Sequence, residues 1–289
     1  MAAQVKLVQG SPEWHEHRAS YRNASETSAV MGVNPWMTPF QLWEIKTGRA
    51  KPSMNAAMAR GTQLEPLARE AYEAMTGHVA QPLVLVDGDY SASLDGMTFD
   101  GSLIVEIKCP MKGRDSTLWK SVSEGVVPEH YGWQIEHQLM VAGAASAHLF
   151  VFDGESGEGL LHEIRPQPER WDQIRNAWDD FMEFIQSDTP PPLTDRDKRM
   201  RNDPEWMVAT EVYLHAKRKA DAIAEELDQA KAALLKLASH PSETGNGVTV
   251  TRFWKSGNVD YKKIPELSVI DLDAYRAKGR FEVRVTLGK

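Results

Sequence analysis

The chain has 289 residues, of which 42% are hydrophobic and 8% aromatic, and its formal net charge is −8. This apolar content is enough for one sizeable α/β domain with an appendage, or for two small domains, and it excludes a disordered chain as the default. The single cysteine excludes an internal disulfide framework and a cysteine-rich zinc or iron–sulfur site.

The sequence also lacks the signals of membrane insertion and export. No apolar run approaches the roughly 18 residues that a membrane helix needs. The first ten residues, MAAQVKLVQG, lack the apolar segment of a signal peptide. We therefore expect a reducing, cytosolic setting and no membrane partner.

Helix signals dominate the first 77 residues. Ser11, Pro12 and Glu13 supply an N-cap, a first helical position and an acidic first turn. Helical spacing and stop signals predict three more helices, over residues 25–31, 39–48 and 58–77.

From Gln81 the apolar period changes to that of strands. Residues 81–110 read as three strands, and Gly/Asp turns are predicted at Asp87-Gly88, Asp95-Gly96 and Asp100-Gly101. A helix over 130–141, strands over 147–153 and 160–166, and an amphipathic helix over 169–185 follow. This order predicts an α/β (α+β) fold with a central mixed β-sheet flanked by helices.

The composition predicts a boundary near the last third of the chain. Residues 1–190 form the predicted main domain, and residues 191–204, Pro-rich and then charged, form a linker. Residues 205–289 are predicted to hold a long helix, over 205–238, and a small β-hairpin region. We interpret the helix's apolar stripe as an arm that packs on the main domain or on a partner. A hairpin is predicted within residues 248–264, and another strand over 281–287.

Two acids and a lysine stand in the strand region at a spacing that suits metal chemistry. Glu106 and Lys108 lie two residues apart on one predicted strand, so their side chains share a face, and a fold-back at Asp100-Gly101 brings Asp95 near Glu106. Hard oxygen ligands suit Mg²⁺, which takes only one or two carboxylates. From these residues alone, a metal site and a solvated charged face both remain open.

Five sequence blocks resemble the YqaJ-type viral recombinase family, which includes phage lambda exonuclease and belongs to the PD-(D/E)XK nucleases. They are EWHEHRASYRNASETSAVMG, RGTQLEPLAREAYEAMTG, SLDG, EIKCP and YGWQIEHQLMVAG, and they follow one another over about residues 10–155. The resemblance implies a restriction-endonuclease-like PD-(D/E)XK core. Residues after about 190 lie outside it.

The resemblance implies a metal-dependent catalytic site. Asp95 and Glu106 would ligate Mg²⁺, with Mn²⁺ as a substitute, together with the backbone carbonyl of Ile107. Glu65 matches a helix glutamate that completes the metal environment; alternatively it is a solvated acid before Pro66. Lys108 would orient or deprotonate the attacking water and stabilise the transition-state charge.

The resemblance also implies residues around the metal. Arg18 and Ser25 match residues that hold a terminal 5′-phosphate, although Arg18 could instead pair with acids on its own helix. Gln134 matches a motif glutamine, and Gln138 is a further supporting candidate. Glu136 stands where some relatives have a second glutamine, so an acidic group near the scissile phosphate is one interpretation.

The implied function is 5′→3′ digestion of linear double-stranded DNA that leaves 3′ single strands for recombination. The implied partners are DNA ends, a single-strand annealing recombinase and further copies of the chain in a trimer, in the cytoplasm of a bacterial or phage-infected cell. The alternatives are a PD-(D/E)XK endonuclease without end dependence and a catalytically silent DNA-end-binding phage protein. The net charge of −8 argues against DNA binding unless basic groups are confined to a groove or cations are bound.

Overall fold

The structure, a computed structural model, describes residues 2–8, 10–51 and 55–255, and the single residues Gly257, Ile264, Leu267 and Ile270. It divides into two compact units, Met1–Met200 and Arg201–Lys289. The division falls within the segment 191–204, which the sequence predicts as a linker. Among the described residues, no helix is long and apolar enough to cross a bilayer.

The first unit contains seven α-helices among its described residues. They are α1 (Pro12–Ser20), α2 (Thr27–Val30), α3 (Pro39–Lys46), α4 (Ala56–Thr76), α5 (Thr117–Ser123), α6 (Glu129–Ala142) and α7 (Pro168–Gln186). The predicted helix over residues 25–31 is instead a 3₁₀ turn at Ala24–Glu26 followed by the short α2. Helix α3 begins at a capping box, in which Thr38 and Gln41 bond reciprocally to each other's backbone.

The sheet of this unit is mixed. Its strands are β1 (Ala3–Val5), β2 (Arg22–Asn23), β3 (Ala80–Asp87), β4 (Tyr90–Thr98), β5 (Leu103–Lys108), β6 (Ser146–Phe152) and β7 (Gly159–Ile164). The order is β1-β3-β4-β5-β6-β7, with β2 paired to β4. The β5–β6 and β2–β4 pairs are parallel and the others antiparallel. The predicted fold class, a mixed sheet flanked by helices, is confirmed.

Strand β5 is covered by helices on both faces. Val105 and Ile107 pack with Tyr72 of α4 in one apolar cluster. Ile104, which points the opposite way, packs with Leu139 of α6 in another. A strand buried on both faces reads as a continuous apolar run, and the sequence LIVEI shows this with a single acid in it. Glu106 therefore lies beneath α6.

The turn predicted at Asp95-Gly96 is wrong, because both residues lie within β4. Between the pairs Gln81↔Met97 and Leu83↔Leu94, β3 has one residue and β4 has two, so β4 carries a β-bulge at Asp95-Gly96. Gly96 is needed for close packing of the strands, since a Cβ there would lie 2.8 Å from the Cβ of Ala80. The Asp-Gly pair that resembled a turn signal marks a bulge.

The second unit contains one long helix and a hairpin among its described residues. Helix α8 spans Pro204–Leu237, and strands β8 (Ser242–Gly245) and β9 (Val248–Thr251) pair antiparallel. The hairpin turns at Asn246-Gly247, where both residues have positive φ. Val248–Thr251 pairs with the strand before it, and residues 256 and 258–263 of the hairpin predicted within 248–264 lie outside the described residues. The strand predicted over 281–287 lies outside the described residues.

A buried histidine ties α6 to α2 and α7. Trp178 Nε1 donates to Thr27 Oγ1 at 3.1 Å, and Thr27 Oγ1 lies 2.6 Å from His137 Nδ1. Because the Thr27 oxygen already accepts one bond, its hydroxyl proton can be donated to His137 Nδ1. Among the described residues, His137 Nε2 has no hydrogen-bond partner. Burial lowers the pKa of His137 to about 3, so the ring is neutral in the fold.

This burial predicts a loss of stability in mild acid. Between pH 6.5 and about pH 3, His137 binds a proton in the unfolded chain but not in the folded chain. The free energy of unfolding should therefore fall as pH drops below 6.5, by up to about 1.4 kcal/mol per pH unit from this group. Urea denaturation at pH 7 and pH 5 measures it. His137→Asn, whose amide oxygen can accept from Thr27, should reduce the loss.

The control is His240→Asn, which changes an exposed histidine of the second unit. It should leave the wild-type slope between pH 7 and pH 5 unchanged. An equal slope in wild type and His137→Asn would show that His137 does not cause the acid sensitivity.

Candidate active site

The bulge in β4 places Asp95 beside the end of β5. The β4–β5 ladder consists of the pairs Met97↔Ile104 and Gly96↔Val105, and the next pair in that register is Asp95 and Glu106. Directly opposed residues of an antiparallel pair share a face of the sheet. Asp95 Oδ2 also accepts a hydrogen bond of 2.8 Å from the backbone N–H of Ile107. This bond fixes the Asp95 carboxylate on the strand that carries Glu106 and Lys108.

Glu106 is the most heavily bonded acid of the site. Its side chain is 3% exposed and forms an ion pair with the ammonium of Lys108. Gln134 Nε2 donates to Oε1 at 2.6 Å, and Gln138 Nε2 donates to Oε2 at 2.6 Å. Gln134 and Gln138 are four residues apart on α6 and so face the strand together. The structure therefore brings both predicted supporting glutamines onto the predicted metal ligand Glu106.

The two carboxylates are electrostatically strained. Burial, and then repulsion from Glu106, raise the pKa of Asp95 well above its ordinary value. Burial alone would lower the pKa of Lys108, but attraction to Glu106 and Asp95 outweighs it and raises that pKa. One lysine between two buried acids leaves negative charge uncompensated, which is costly in a low-dielectric interior. A cation is the natural complement of this arrangement.

Glu65 lies near this pair but is directed elsewhere. Arg69, one turn along α4, forms an ion pair of 2.5 Å with Glu65 Oε1 and donates from Nε to the backbone carbonyl of Asp95 at 3.1 Å. Within the described ranges, no three His, Cys, Asp or Glu side chains are grouped as metal ligands. The structure thus unites Asp95 and Glu106 without a third acid. Arg69, which the sequence analysis missed, links Glu65 to the strand.

Tyr131 is a second residue that the sequence analysis missed. The Lys108 ammonium lies 5.2 Å from the centroid of its ring, within the range of a cation–π contact. Burial raises the pKa of the Tyr131 hydroxyl. Tyr131 precedes Gln134 by three residues and Gln138 by seven, so helical spacing places all three on one face of α6. That spacing is the sequence signal that would have identified it.

Arg18 and Ser25 lie together, as the predicted end-binding pair. Arg18 Nη1 donates to Ser25 Oγ at 2.9 Å, and Nη2 pairs with Glu26 at 2.9 Å. The ammonium of the buried Lys46 pairs with the other oxygen of Glu26 at 2.8 Å. Arg18 does not use the acids of its own helix that the alternative named. Two cations sharing one carboxylate give this cluster a net positive charge.

Glu136 does not share the site. Its Oε2 accepts from the backbone N–H of Gln167 and from Trp171 Nε1, both at 3.1 Å. It lies two residues from Gln134 and from Gln138, a spacing that turns a helical side chain away from its neighbours. Glu136 therefore joins α6 to the start of α7. The interpretation of an acid near the scissile phosphate is not supported by this placement.

Cys109 is not a candidate nucleophile. Burial, and then repulsion from Asp95, raise the pKa of its thiol to about 11, so the thiol stays protonated at neutral pH.

A mixed sheet with a carboxylate pair and a lysine on adjoining strands defines the class of PD-(D/E)XK-type nuclease folds. Comparison with known proteins adds a match at the level of the sequence: the sequence profile of the YqaJ-like viral recombinase domain matches residues 13–145. The matched residues include nearly all of α1, all of α2 to α6, and β2 to β5. The recognised family resemblance is thereby confirmed.

Individual relatives agree with the family. A Bacillus subtilis (strain 168) protein named uncharacterized protein YqaJ is 29% identical over 178 residues, which are 58% of this chain and 54% of the relative. The alignment thus spans about half the length of that relative. The crystal structure of an alkaline exonuclease (LHK-Exo) from Laribacter hongkongensis matches with a TM-score of 0.54 at 22% identity, covering 62% of this chain and 94% of that one. The complex of LHK-Exo with dAMP gives the same values. At this identity the likeness shows the fold.

The strained acid pair predicts that Asp95→Asn stabilises the protein when no divalent cation is present. The amide keeps an oxygen for the Ile107 N–H and removes one buried negative charge. We expect the free energy of unfolding at pH 8, with a chelator, to rise by about 1–3 kcal/mol. Urea denaturation measures it.

Asp100→Asn is the matched control, because Asp100 lies in the exposed turn after β4. Bonds from Thr98 and Ser102 lower the pKa of Asp100 to about 2, so its charge is favourable in the fold. This variant should be less stable than wild type. If Asp95→Asn also lowers stability, the two carboxylates do not repel each other as described.

Proposed function

We propose that this protein is a Mg²⁺-dependent deoxyribonuclease that digests linear double-stranded DNA 5′→3′ and leaves 3′ single strands. The observation that carries the proposal is the placement of Asp95, Glu106 and Lys108 on two adjoining strands at a bulge. The family assignment and the name of its structural neighbour, an alkaline exonuclease, add support for DNA and for exonuclease action.

The residues present fit a hard divalent cation. Two buried carboxylates and one lysine have an excess of negative charge, which a divalent cation would neutralise. Mg²⁺ takes one or two carboxylates while it keeps several waters. Asp95 and Glu106 would hold the ion, together with the backbone carbonyl of Ile107, and Glu65 would reach it through water or by leaving Arg69. When bound, Mg²⁺, or Mn²⁺ in its place, supplies Lewis-acid activation of water and of the phosphate.

The chain's own side chains would prepare the reaction. Gln134 and Gln138 donate to both oxygens of Glu106 and would hold that carboxylate in one orientation. Lys108, held between Glu106 and the Tyr131 ring, would orient the attacking water and stabilise charge on the phosphate. To deprotonate the water instead, it would first have to lose the proton that Glu106 and Asp95 stabilise. Arg18 and Ser25 would bind a terminal 5′-phosphate and thereby place the next bond at the acids.

Two alternatives remain distinct from this proposal. An endonuclease with the same acids and lysine would cut without a DNA end, and a silent end-binding protein would bind DNA without cutting it. We favour the exonuclease because Arg18 and Lys46 give a positively charged cluster on residues other than those that carry the acid pair, and this cluster could bind a terminal phosphate. The proposed partners are DNA ends, a single-strand annealing recombinase and further copies of the chain as a trimer, and the proposed compartment is the cytoplasm of a bacterial or phage-infected cell.

End-labelled linear duplex and covalently closed circular DNA test the activity. With Mg²⁺ we expect nucleotide release from the linear substrate and none from the circle, and a chelator should stop release. Lys108→Ala should reduce the rate by about 10²–10⁴-fold and leave DNA binding unchanged, because a positioned acid–base group contributes about that much.

Lys120→Ala, which removes an exposed lysine of α5, is the matched control and should retain the wild-type rate. Cutting of the circle would favour the endonuclease. DNA binding without any nucleotide release would favour the silent binder and contradict the proposal.

The end-binding role of Arg18 predicts a change in end preference. Arg18→Ala should lower the ratio of digestion rates on 5′-phosphorylated and 5′-hydroxyl duplexes, since only the first carries the dianion that Arg18 would bind. Arg49→Ala, which removes an arginine paired with Asp188 on the surface, is the control. A ratio equal to that of wild type would remove Arg18 from end recognition.

A further inference from the structure

Helix α8 carries an apolar stripe that has no part in the proposed nuclease site. The helix has 34 residues, which corresponds to about 51 Å, and none of them is buried. An isolated helix gains little stability from its own hydrogen bonds and normally depends on packing of an apolar face. We therefore expect the stripe to pack against another apolar surface.

The stripe follows a heptad pattern. Starting at Trp206, residues recur at alternating steps of three and four, the spacing of the core positions in a coiled coil. All ten positions are apolar and all ten are exposed in the described structure. They are Trp206, Ala209, Tyr213, Ala216, Ala220, Ile223, Leu227, Ala230, Leu234 and Leu237.

When two copies of the stripe run in opposite directions, large residues of one copy lie opposite small residues of the other. If two copies run antiparallel with Ala220 opposite Ile223, then Tyr213 lies opposite Ala230, and each of the two leucines at 227 and 234 also lies opposite an alanine. These alanines are Ala216 and Ala209. Trp206 and Leu237 form the outermost layer. Four of the five kinds of layer thus combine one bulky side chain with one alanine, which gives even packing.

A parallel pair would pack poorly by comparison. Identical residues would face each other, which gives four layers of two alanines and six layers of two large residues. Small–small layers leave voids and large–large layers force the helices apart. The residue order thus selects the antiparallel arrangement.

Charges flanking the stripe agree with the same register. Lys219 and Glu226 occupy equivalent flanking positions, and in the antiparallel pair Lys219 of one copy lies beside Glu226 of the other, twice by symmetry. Within the described part of the chain, neither residue has an ion-pair partner on its own helix. By contrast, Lys217 pairs with Asp221 and Lys231 with Asp228 within α8.

We propose that α8 is a self-association surface through which two copies of this chain pair antiparallel, centred between Asp221 and Ala222, at a contact separate from the one that would form the proposed trimer. The occupant is a second copy because both the size pattern and the charge pattern match the reversed sequence about one centre. A stripe built for a different protein has no reason to match its own reverse. The surface lies after the family-matched residues 13–145 and uses none of the residues of the proposed nuclease site.

Charge reversal in the full-length chain tests the register. Glu226→Lys would place two lysines side by side at both symmetric contacts, and the dissociation constant of the pair, measured by sedimentation, should rise about tenfold. Lys219→Glu combined with Glu226→Lys should restore wild-type association. Glu225→Lys makes the same charge change one residue away, on the outer face, and should have no effect.

Cross-linking tests the orientation. In a Cys109→Ser background, Ala209→Cys and Leu234→Cys proteins with different tags are mixed and treated with a short bismaleimide. Antiparallel pairing gives links between the two variants only, because like positions lie about 38 Å apart along the helix. Parallel pairing gives links within each variant only.

The outcomes decide the proposal. Mixed links, together with weakening by Glu226→Lys and rescue by the double variant, would establish the antiparallel pair. Links within each variant, no links at all, or equal effects of Glu225→Lys and Glu226→Lys would overturn it. Absence of links would mean that the stripe is covered by the chain's own first unit or by another protein.

Discussion

A single buried carboxylate, that of Glu106, sets the constraint on which the first unit is built. It lies on a strand that helices cover on both faces, and Lys108, Gln134 and Gln138 all direct hydrogen-bond donors at it. An unpaired acid at this depth would cost several kcal/mol. Keeping the sheet and α6 in one relative position therefore stabilises the fold, because it holds these donors on the acid. The same requirement fixes the geometry of the candidate site, so stability and preorganisation come from the same contacts.

Most elements could be predicted because their signals are local. Helical spacing, caps and Gly stops located α3, α4, α6 and α7 to within a few residues, and the alternation of the strands located β3 to β7. The wrong turn assignment occurred where a short polar motif is compatible with both a turn and a β-bulge. Asp95-Gly96 has the composition of a turn, yet the packing of Gly96 against Ala80 makes it a bulge.

The site was predictable in its strand residues and less so in its surroundings. Glu106 and Lys108 are two apart on one strand, so a sequence pattern captures them directly. Arg69 and Tyr131 come from helices distant in sequence, and their contacts depend on how α4 and α6 cross the sheet, which no local pattern specifies. For Glu136, its place in the family motif suggested a position near the phosphate. The helical period instead directs its side chain to Trp171.

Helix α6 has polar side chains buried on two of its sides, and this limits how the chain tolerates substitution. One side holds Glu106, and the other holds His137 against Thr27 and Glu136 against the start of α7. Sliding or rotating the helix to suit a new side chain on one side would break bonds on the other. Substitutions in α6 should therefore alter heat tolerance, whereas the solvent-facing positions of α1 and α5 can be changed without that cost.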